Sequence, residues 1–245
     1  SFLAGFPALR DALLFHSRPL PFYDNDHVVQ PRKARSVLAR GEPRQRNAVV
    51  RDLEKAALIA SRKEDQNWAR ADHGRGELFR LPLISKLALL ALIKFASRDP
   101  SGMGVVMEAG KPGWYDALNG LPGLFGSSMP ETCELLRLVR FLKDVFEASS
   151  LKLILPVEAQ TFVEAIDSLP EYKADPLAEW DHLTSALERY RSSVRLGFDG
   201  ETFTIQPVGA LIQMEERLEE GIARAKTFNP TGPPTYFKHR GTNFK

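Results

Sequence analysis

Between Leu83 and Ser97 the chain is apolar at Leu83, Ile84, Leu87, Ala88, Leu90, Ala91, Ile93 and Phe95. On a helix these positions cover most sides rather than one stripe, so the spacing predicts a central helix that other elements must surround. Further helical periodicity supplies those elements. Asp52 to Asn67 carries one stripe at Leu53, Ala56, Ala57 and Ala60 with charges opposite. Ser128-Met-Pro-Glu131 reads as a capping box with Pro130 in the first turn, opening a helix through Leu135, Leu136, Leu138, Val139, Leu142, Val145 and Phe146. Pro156 to Ser168, Asp175 to Ser192 and Pro207 to Ala225 complete the helical set. Strand signal is scarce, with Gly104 to Met107 and Phe203 to Ile205 the best candidates and Gly197-Phe-Asp-Gly200 a turn before the second. The expectation is a mainly α chain without internal repeats or low-complexity tracts.

At 245 residues with 43% hydrophobic content, the chain can bury one substantial core or two small ones. The run from Leu81 to Ala96 is interrupted by Ser85, Lys86 and Lys94, short of the ~20 apolar residues a membrane span requires. Thirty-three Lys and Arg against 31 Asp and Glu give a net charge of +2, which argues against a dedicated nucleic-acid binder. The local exception is Arg32 to Arg51, where Arg32, Lys33, Arg35, Arg40, Arg44, Arg46 and Arg51 face only Glu42. Two readings stay open for it: a solvated loop, or a contact for phosphate, acidic sugar or a polyanionic partner. Cys133 is the only cysteine. It excludes an intrachain disulfide and a cysteine metal cluster, fits a reducing compartment (the cytoplasm or an organelle), and sits at an apolar helix position as a small core residue. The first residues, Ser1-Phe-Leu-Ala-Gly-Phe-Pro, begin without Met and without a basic leader, as in a fragment or a processed product.

The stretch Glu108 to Ser128 holds five glycines, two prolines and a Trp-Tyr-Asp triplet. Ordering so much glycine is entropically costly, so the segment reads either as a loop shaped for a ligand or as a long connector with an aromatic plug. Trp114 and Tyr115 offer flat amphipathic faces of the kind that sugar rings stack on. Asp116, the only carboxylate between Glu108 and Glu131, lies among apolar neighbours that favour its protonated form, the state a general acid needs. Gly120, Gly123 and Gly126 lead to Ser127 and Ser128 at a helix start, where free amides and the helix dipole can hold an anion such as phosphate.

At these residues the sequence resembles a family. Gly113-Trp-Tyr-Asp-Ala-Leu-Asn119 looks like the G-D-W-N-D-G-M-N segment of cellobiose-phosphorylase-like enzymes. The longer Gly110-Lys-Pro-Gly-Trp-Tyr-Asp-Ala-Leu-Asn-Gly-Leu-Pro-Gly-Leu-Phe-Gly-Ser-Ser128 is similar to relatives acting on β-glucan oligosaccharides, and Gly232-Pro-Pro-Thr-Tyr-Phe-Lys238 is similar to a Pro-Thr-Tyr-Phe segment of the same group. The resemblance implies an (α/α)6 barrel, of which this chain supplies only part, and inverting phosphorolysis with Asp116 as general acid. Trp114, Tyr115, Asn119 and Glu108 would bind substrate. Lys111, Gly126, Ser127 and Ser128 would hold inorganic phosphate as co-substrate, with no other cofactor and no metal. Gly113, Tyr115 and Ala117 depart from the cellobiose branch, which places the subsites in question. Phosphate is itself an anionic nucleophile, whereas an inverting hydrolase needs a second carboxylate roughly 6.5–9.5 Å from the acid to activate water. Glu108 is the nearest such residue, and a structural or sugar-hydroxyl role is equally open to it.

The remaining candidates are weaker. His16, His27, His73, His182 and His239 show no metal-ligand spacing, and His239, beside Arg240 after the Pro-Thr-Tyr-Phe segment, has the best functional claim. Trp68 is a candidate for a sugar subsite and Trp180 for a packing anchor. Lys111 and Arg137 are either phosphate contacts or surface charge. The organisation expected is an N-terminal segment with a basic loop (1–51), a helical catalytic-like domain (52–227) and an extended arm (228–245), whose Pro and Gly rule out helix. The expected partners are an oligosaccharide and either the remainder of a larger chain or further copies of this one. A non-catalytic helical subunit derived from such an enzyme is the rival reading.

Overall fold

A computed structural model describes residues 6–108, 126–149, 151–169, 175–229, 231–232 and 234–238. Helices dominate it: α1 (Arg10–Phe15), α2 (Arg32–Arg35), α3 (Leu53–Ala60), α4 (Ala71–Gly74), α5 (Leu83–Ala96), α6 (Met129–Glu147), α7 (Gln160–Asp167), α8 (Pro176–Ser193) and α9 (Val208–Lys226). The strands are short: β1 (Leu20–Pro21), β2 (His27–Val29), β3 (Ser36–Ala39), β4 (Glu42–Gln45), β5 (Val49–Arg51), β6 (Arg80–Leu81), β7 (Val105–Val106), β8 (Gly126–Ser128), β9 (Leu153–Pro156), β10 (Thr202–Ile205) and β11 (Tyr236–Lys238). They form four antiparallel pairs (β1 with β6, β2 with β5, β3 with β4, β9 with β10) and one three-stranded sheet, β11-β8-β7.

Helix α5 is the central element that its sequence requires. Ile84, Ala88, Leu89, Ala91, Leu92, Phe95 and Ala96 are all buried, and α1, α6, α8 and β9 pack around it. The long amphipathic helices α6 and α9 lie against each other, and α7 joins them through both α8 and α9. Phe95, Phe146 and Phe162 are completely buried within this core. Each such side chain contributes about 1.5–3 kcal/mol on burial, so the helical cluster is the main source of stability. A smaller aromatic cluster ties the N-terminal part to the rest. Phe79 stacks on Phe198 with 4.2 Å between ring centroids, and Phe22 packs beside both.

Several expectations are corrected. The stripe from Asp52 to Asn67 is helical only to Ala60, because the chain then turns to carry Arg62 inward to Asp24 and reaches Asp65 at a φ of 48°. The basic stretch from Arg32 to Arg51 is not a loop. It forms α2 and the β3–β4 hairpin, whose two-residue turn places Arg40 and Gly41 at φ 56° and 76°, the left-handed pair such a turn needs. Its cations are partly consumed: Arg32 bonds Asp181, Glu188 and Ser185 on α8, Arg35 reaches Glu108, and Arg51 pairs with Asp26. The capping box does not form. Ser128 ends β8, its side chain makes no cap hydrogen bond, and Glu131 pairs with Lys94 at 2.6 Å. Within the C-terminal segment, β11 pairs along β8.

Helix α9 approaches the turn after α5 so closely that Gly221 faces Gly102, and a Cβ at Gly221 would stand 2.0 Å from the Gly102 carbonyl oxygen. Replacing a helical Gly by Ala ordinarily stabilises by about 0.8–1 kcal/mol. Here overpacking of about 1–3 kcal/mol opposes that gain. Gly221→Ala is expected to lower the denaturation midpoint, against its helix propensity, in a urea titration.

Asp52 caps α3, accepting from the Lys55 amide, and also holds Arg195. Burial alone would raise its pKa, yet the Arg195 and backbone hydrogen bonds outweigh it and hold the carboxyl below its ordinary value. A depressed folded pKa means that this contribution is complete above the unfolded value, about 3.9, and is lost as pH falls through the folded one. The stability difference between the native chain and Asp52→Asn should therefore be full at pH 6 and shrink below about pH 4 in pH-dependent denaturation.

Candidate functional site

The glycine-rich segment 109–125 lies outside the described residues, and with it Asp116, Trp114, Tyr115, Asn119 and Lys111. What is defined is the base from which it leaves and to which it returns. Its two ends are adjacent. Val105 and Val106 pair with Ser128 and Ser127, and the Met107 amide donates to the Gly126 carbonyl at 2.9 Å. Strand β8 is the middle of three, held on its other side by β11.

Asp99, at the end of α5, organises this base. Its Oδ1 accepts from the amides of Ser101 (2.8 Å) and Met103 (3.2 Å), and its Oδ2 from the Gly104 amide (2.8 Å) and the Ser127 hydroxyl (2.7 Å). Asp99 is 1% exposed, so these donors take the place of water. Gly104 is required here, since a Cβ would lie 2.6 Å from Ser127 Oγ. The hydroxyl of Ser127 is thus engaged by Asp99, and the Met129 amide at the helix start donates to the Thr235 carbonyl at 2.9 Å. Gly126, Ser127 and Ser128 lie in β8, with their backbone paired on both sides.

Glu108 stands at the entrance to the glycine-rich segment, buried. Its Oε1 accepts from Arg191 of α8 at 3.0 Å and from Arg35 of α2 at 3.4 Å. Burial pushes the Arg35 guanidinium below its ordinary pKa, and the charge of Glu108 opposes that shift. Gln45 of β4 donates to the Met107 carbonyl at 3.0 Å, so the basic hairpin is fastened to the strand that leads into the loop. A cavity of about 70 Å³ lies beside Glu108, with Lys94, Glu131 and Arg191 in its wall.

Behind this base lies a second buried charge cluster. Glu179 of α8 accepts from Arg98 at 3.1 Å and from Arg217 of α9 at 2.8 Å, and the side chains of Arg98 and Arg217 are 6% and 4% exposed. Arg98 also caps its own helix at the Phe95 carbonyl and lies 3.9 Å from the centre of the Phe95 ring. Burial lowers its pKa, with Glu179 and Asp99 acting against the shift.

The other sequence candidates are dispersed. Trp68 packs edge-on against Tyr23, and Trp180 lies under Arg32 at 5.0 Å. His182 meets Ser168 and the Ala165 carbonyl, and His27 meets Asp26. Arg137 pairs with Glu134 on the surface, while His239 lies outside the described residues. No group of three His, Cys, Asp or Glu able to hold a metal, and no helix long and apolar enough to cross a membrane, occurs among the described residues. Asp99, Arg191 and the Arg98–Glu179–Arg217 cluster escape a linear reading. Only Asp99-Pro-Ser-Gly102 announces itself, as a turn.

Removing Glu179 leaves two buried guanidinium groups without their carboxylate, a change that typically costs about 3–5 kcal/mol. Glu179→Ala should therefore unfold at markedly lower denaturant than the native chain, and Glu179→Gln should lose less. Compared with known proteins, the chain matches no family model and no curated protein.

Proposed function

We propose that this chain is part of a carbohydrate-active enzyme that carries out inverting phosphorolysis of β-glucan oligosaccharides, with Asp116 as general acid, on helices that form a portion of an (α/α)6 barrel. The observation that carries this reading is the clamped base of the glycine-rich segment. Both of its ends are fixed to one small sheet by hydrogen bonds between Met107 and Gly126 and between Ser127 and Asp99. A long loop on a rigid base is a common way to present reactive and binding groups. In this reading Asp116 protonates the glycosidic oxygen while phosphate attacks the anomeric carbon from the opposite face. Trp114, Tyr115 and Asn119 contact the sugar. Because Ser127 Oγ serves Asp99 and the β8 backbone is paired on both sides, the phosphate contact falls in this reading to Lys111.

The Oε1 of Glu108 is engaged by two guanidinium groups, which supports phosphorolysis over an inverting hydrolysis that would need this carboxylate to activate water. Glu108 acts here as the anchor of the loop entrance.

The test is release of glucose 1-phosphate from laminari-, sophoro- and cello-oligosaccharides, with and without phosphate, by this chain and by the full-length gene product. Phosphate-dependent release is expected. Asp116→Asn should reduce it by about 10²–10⁴-fold with folding intact, and Glu108→Gln should retain most of it. Release of free sugar without phosphate would favour an inverting hydrolase. No turnover by either protein would favour the non-catalytic helical subunit.

A further inference from the structure

The β3–β4 hairpin is a sheet of two strands, and its two edges are not equivalent. The Arg46 amide donates to the Arg35 carbonyl at 2.8 Å, which makes Arg35 and Arg46 a hydrogen-bonded pair at the base of the ladder. Such pairs alternate along antiparallel strands, so Val37 with Arg44 and Ala39 with Glu42 exchange the next bonds. The main-chain groups of Ser36 and Leu38 on β3, and of Pro43 and Gln45 on β4, therefore point away from the opposite strand.

On β4 the edge is blunted: Pro43 has no N–H to offer, and the Gln45 side chain fastens the strand to the Met107 carbonyl. Strand β3 reads Ser-Val-Leu-Ala, with neither proline nor charge to protect it. The Ser36 amide is taken by the Arg32 carbonyl, whereas the Leu38 amide and the carbonyls of Ser36 and Leu38 bond nothing else among the described residues. Leu38 is 70% exposed and Ser36 is exposed, so this edge is open to solvent. Charge narrows what can add to it. Lys33 before β3 and Arg40 after it are exposed and form no ion pair among the described residues, and Glu42 is the only carboxylate between Arg32 and Arg51. A second copy of the chain is disfavoured, because antiparallel pairing of two β3 edges brings Arg40 of each copy toward Lys33 of the other.

We propose that the open edge of β3 docks an extended, acidic segment of a protein partner as a third strand. Main-chain hydrogen bonds to Leu38 and to the Ser36 carbonyl supply the pairing, an apolar side chain of the partner covers Leu38, and carboxylates at either end of its strand meet Lys33 and Arg40. The added strand also stabilises a hairpin that is marginal as an isolated pair. The surface is independent of the catalytic reading and does not involve Asp116.

The test is selection of a displayed random-peptide library on the native chain, followed by titration of the selected peptides under amide NMR. Selected peptides should alternate apolar and acidic residues, bind saturably, and both shift the Leu38 amide and protect it from hydrogen exchange. Leu38→Pro removes an outward donor without removing a hairpin bond, and should weaken binding at least about tenfold. Two further measurements leave the hairpin backbone intact. N-methylation of the peptide, which deletes its own donors, should weaken binding, and so should Lys33→Gln combined with Arg40→Asn, in which Asn suits the left-handed conformation of residue 40. Asp116→Asn should keep native affinity, which separates this surface from the catalytic reading. Inorganic polyphosphate is the polyanion control. Polyphosphate binding that matches the peptides and is indifferent to Leu38→Pro would reduce the surface to charge alone and overturn the proposal. Failure to select saturable binders, selection of peptides without acidic residues, or shifts that bypass β3 would overturn it as well.

Discussion

Charge buried at the end of α5 holds this protein together in a way its apolar core cannot. Arg98 and Asp99, adjacent in sequence, point to different parts of the molecule. Arg98 joins Glu179 of α8 and, through it, Arg217 of α9, whereas Asp99 gathers the turn to Gly104 and the Ser127 hydroxyl of β8. Apolar burial is non-directional and tolerates small shifts of one helix against another. A carboxylate shared by two guanidinium groups does not, because every misalignment leaves charge without a partner in a medium that solvates it poorly.

The consequence is a chain of fixed positions running from the core to the ends of the glycine-rich segment. Helix α5 is set by its apolar surroundings, Asp99 is set by α5, and Asp99 fixes β8 through Ser127. Strand β8 then fixes the exit of the glycine-rich segment. Its entrance is fixed separately, by Arg35 and Arg191 on Glu108 and by Gln45 on Met107. Two independent anchors define the base, one from α5 and one from the basic hairpin with α8. The arginines of the stretch from Arg32 to Arg51 are therefore partly structural: Arg32 and Arg35 are spent on helix α8 and on the loop entrance.

Much of the helical architecture is legible in sequence because periodicity and burial agree there. Leu83–Ala96, Met129–Glu147, Pro176–Ser193 and Val208–Lys226 fall within a few residues of their periodic segments. Strands were legible only where valines or alternating residues ran together, at Val105–Val106 and Thr202–Ile205. The rest are two to four residues long, as at Leu20–Pro21 and Arg80–Leu81, too short or too irregular for a period of two to be seen. At Ser128 the local capping pattern lost to tertiary pairing, since β7 and β11 claim its backbone and Lys94 claims Glu131.

The sequence by itself determined a mainly α chain, a central helix at Leu83–Ala96, and the position of a glycine-rich segment between Glu108 and Ser128. Those properties reside in contiguous residues, where spacing and backbone preference act over a few positions. Only the tertiary structure decided that Glu108 is an anchor for two arginines, that Ser127 serves Asp99, and that Glu179 joins Arg98 to Arg217. Each of these depends on which distant charge arrives within hydrogen-bond reach. Folding sets that encounter through the packing of α5, α8 and α9, and nothing in the local spacing of the charged residues encodes it.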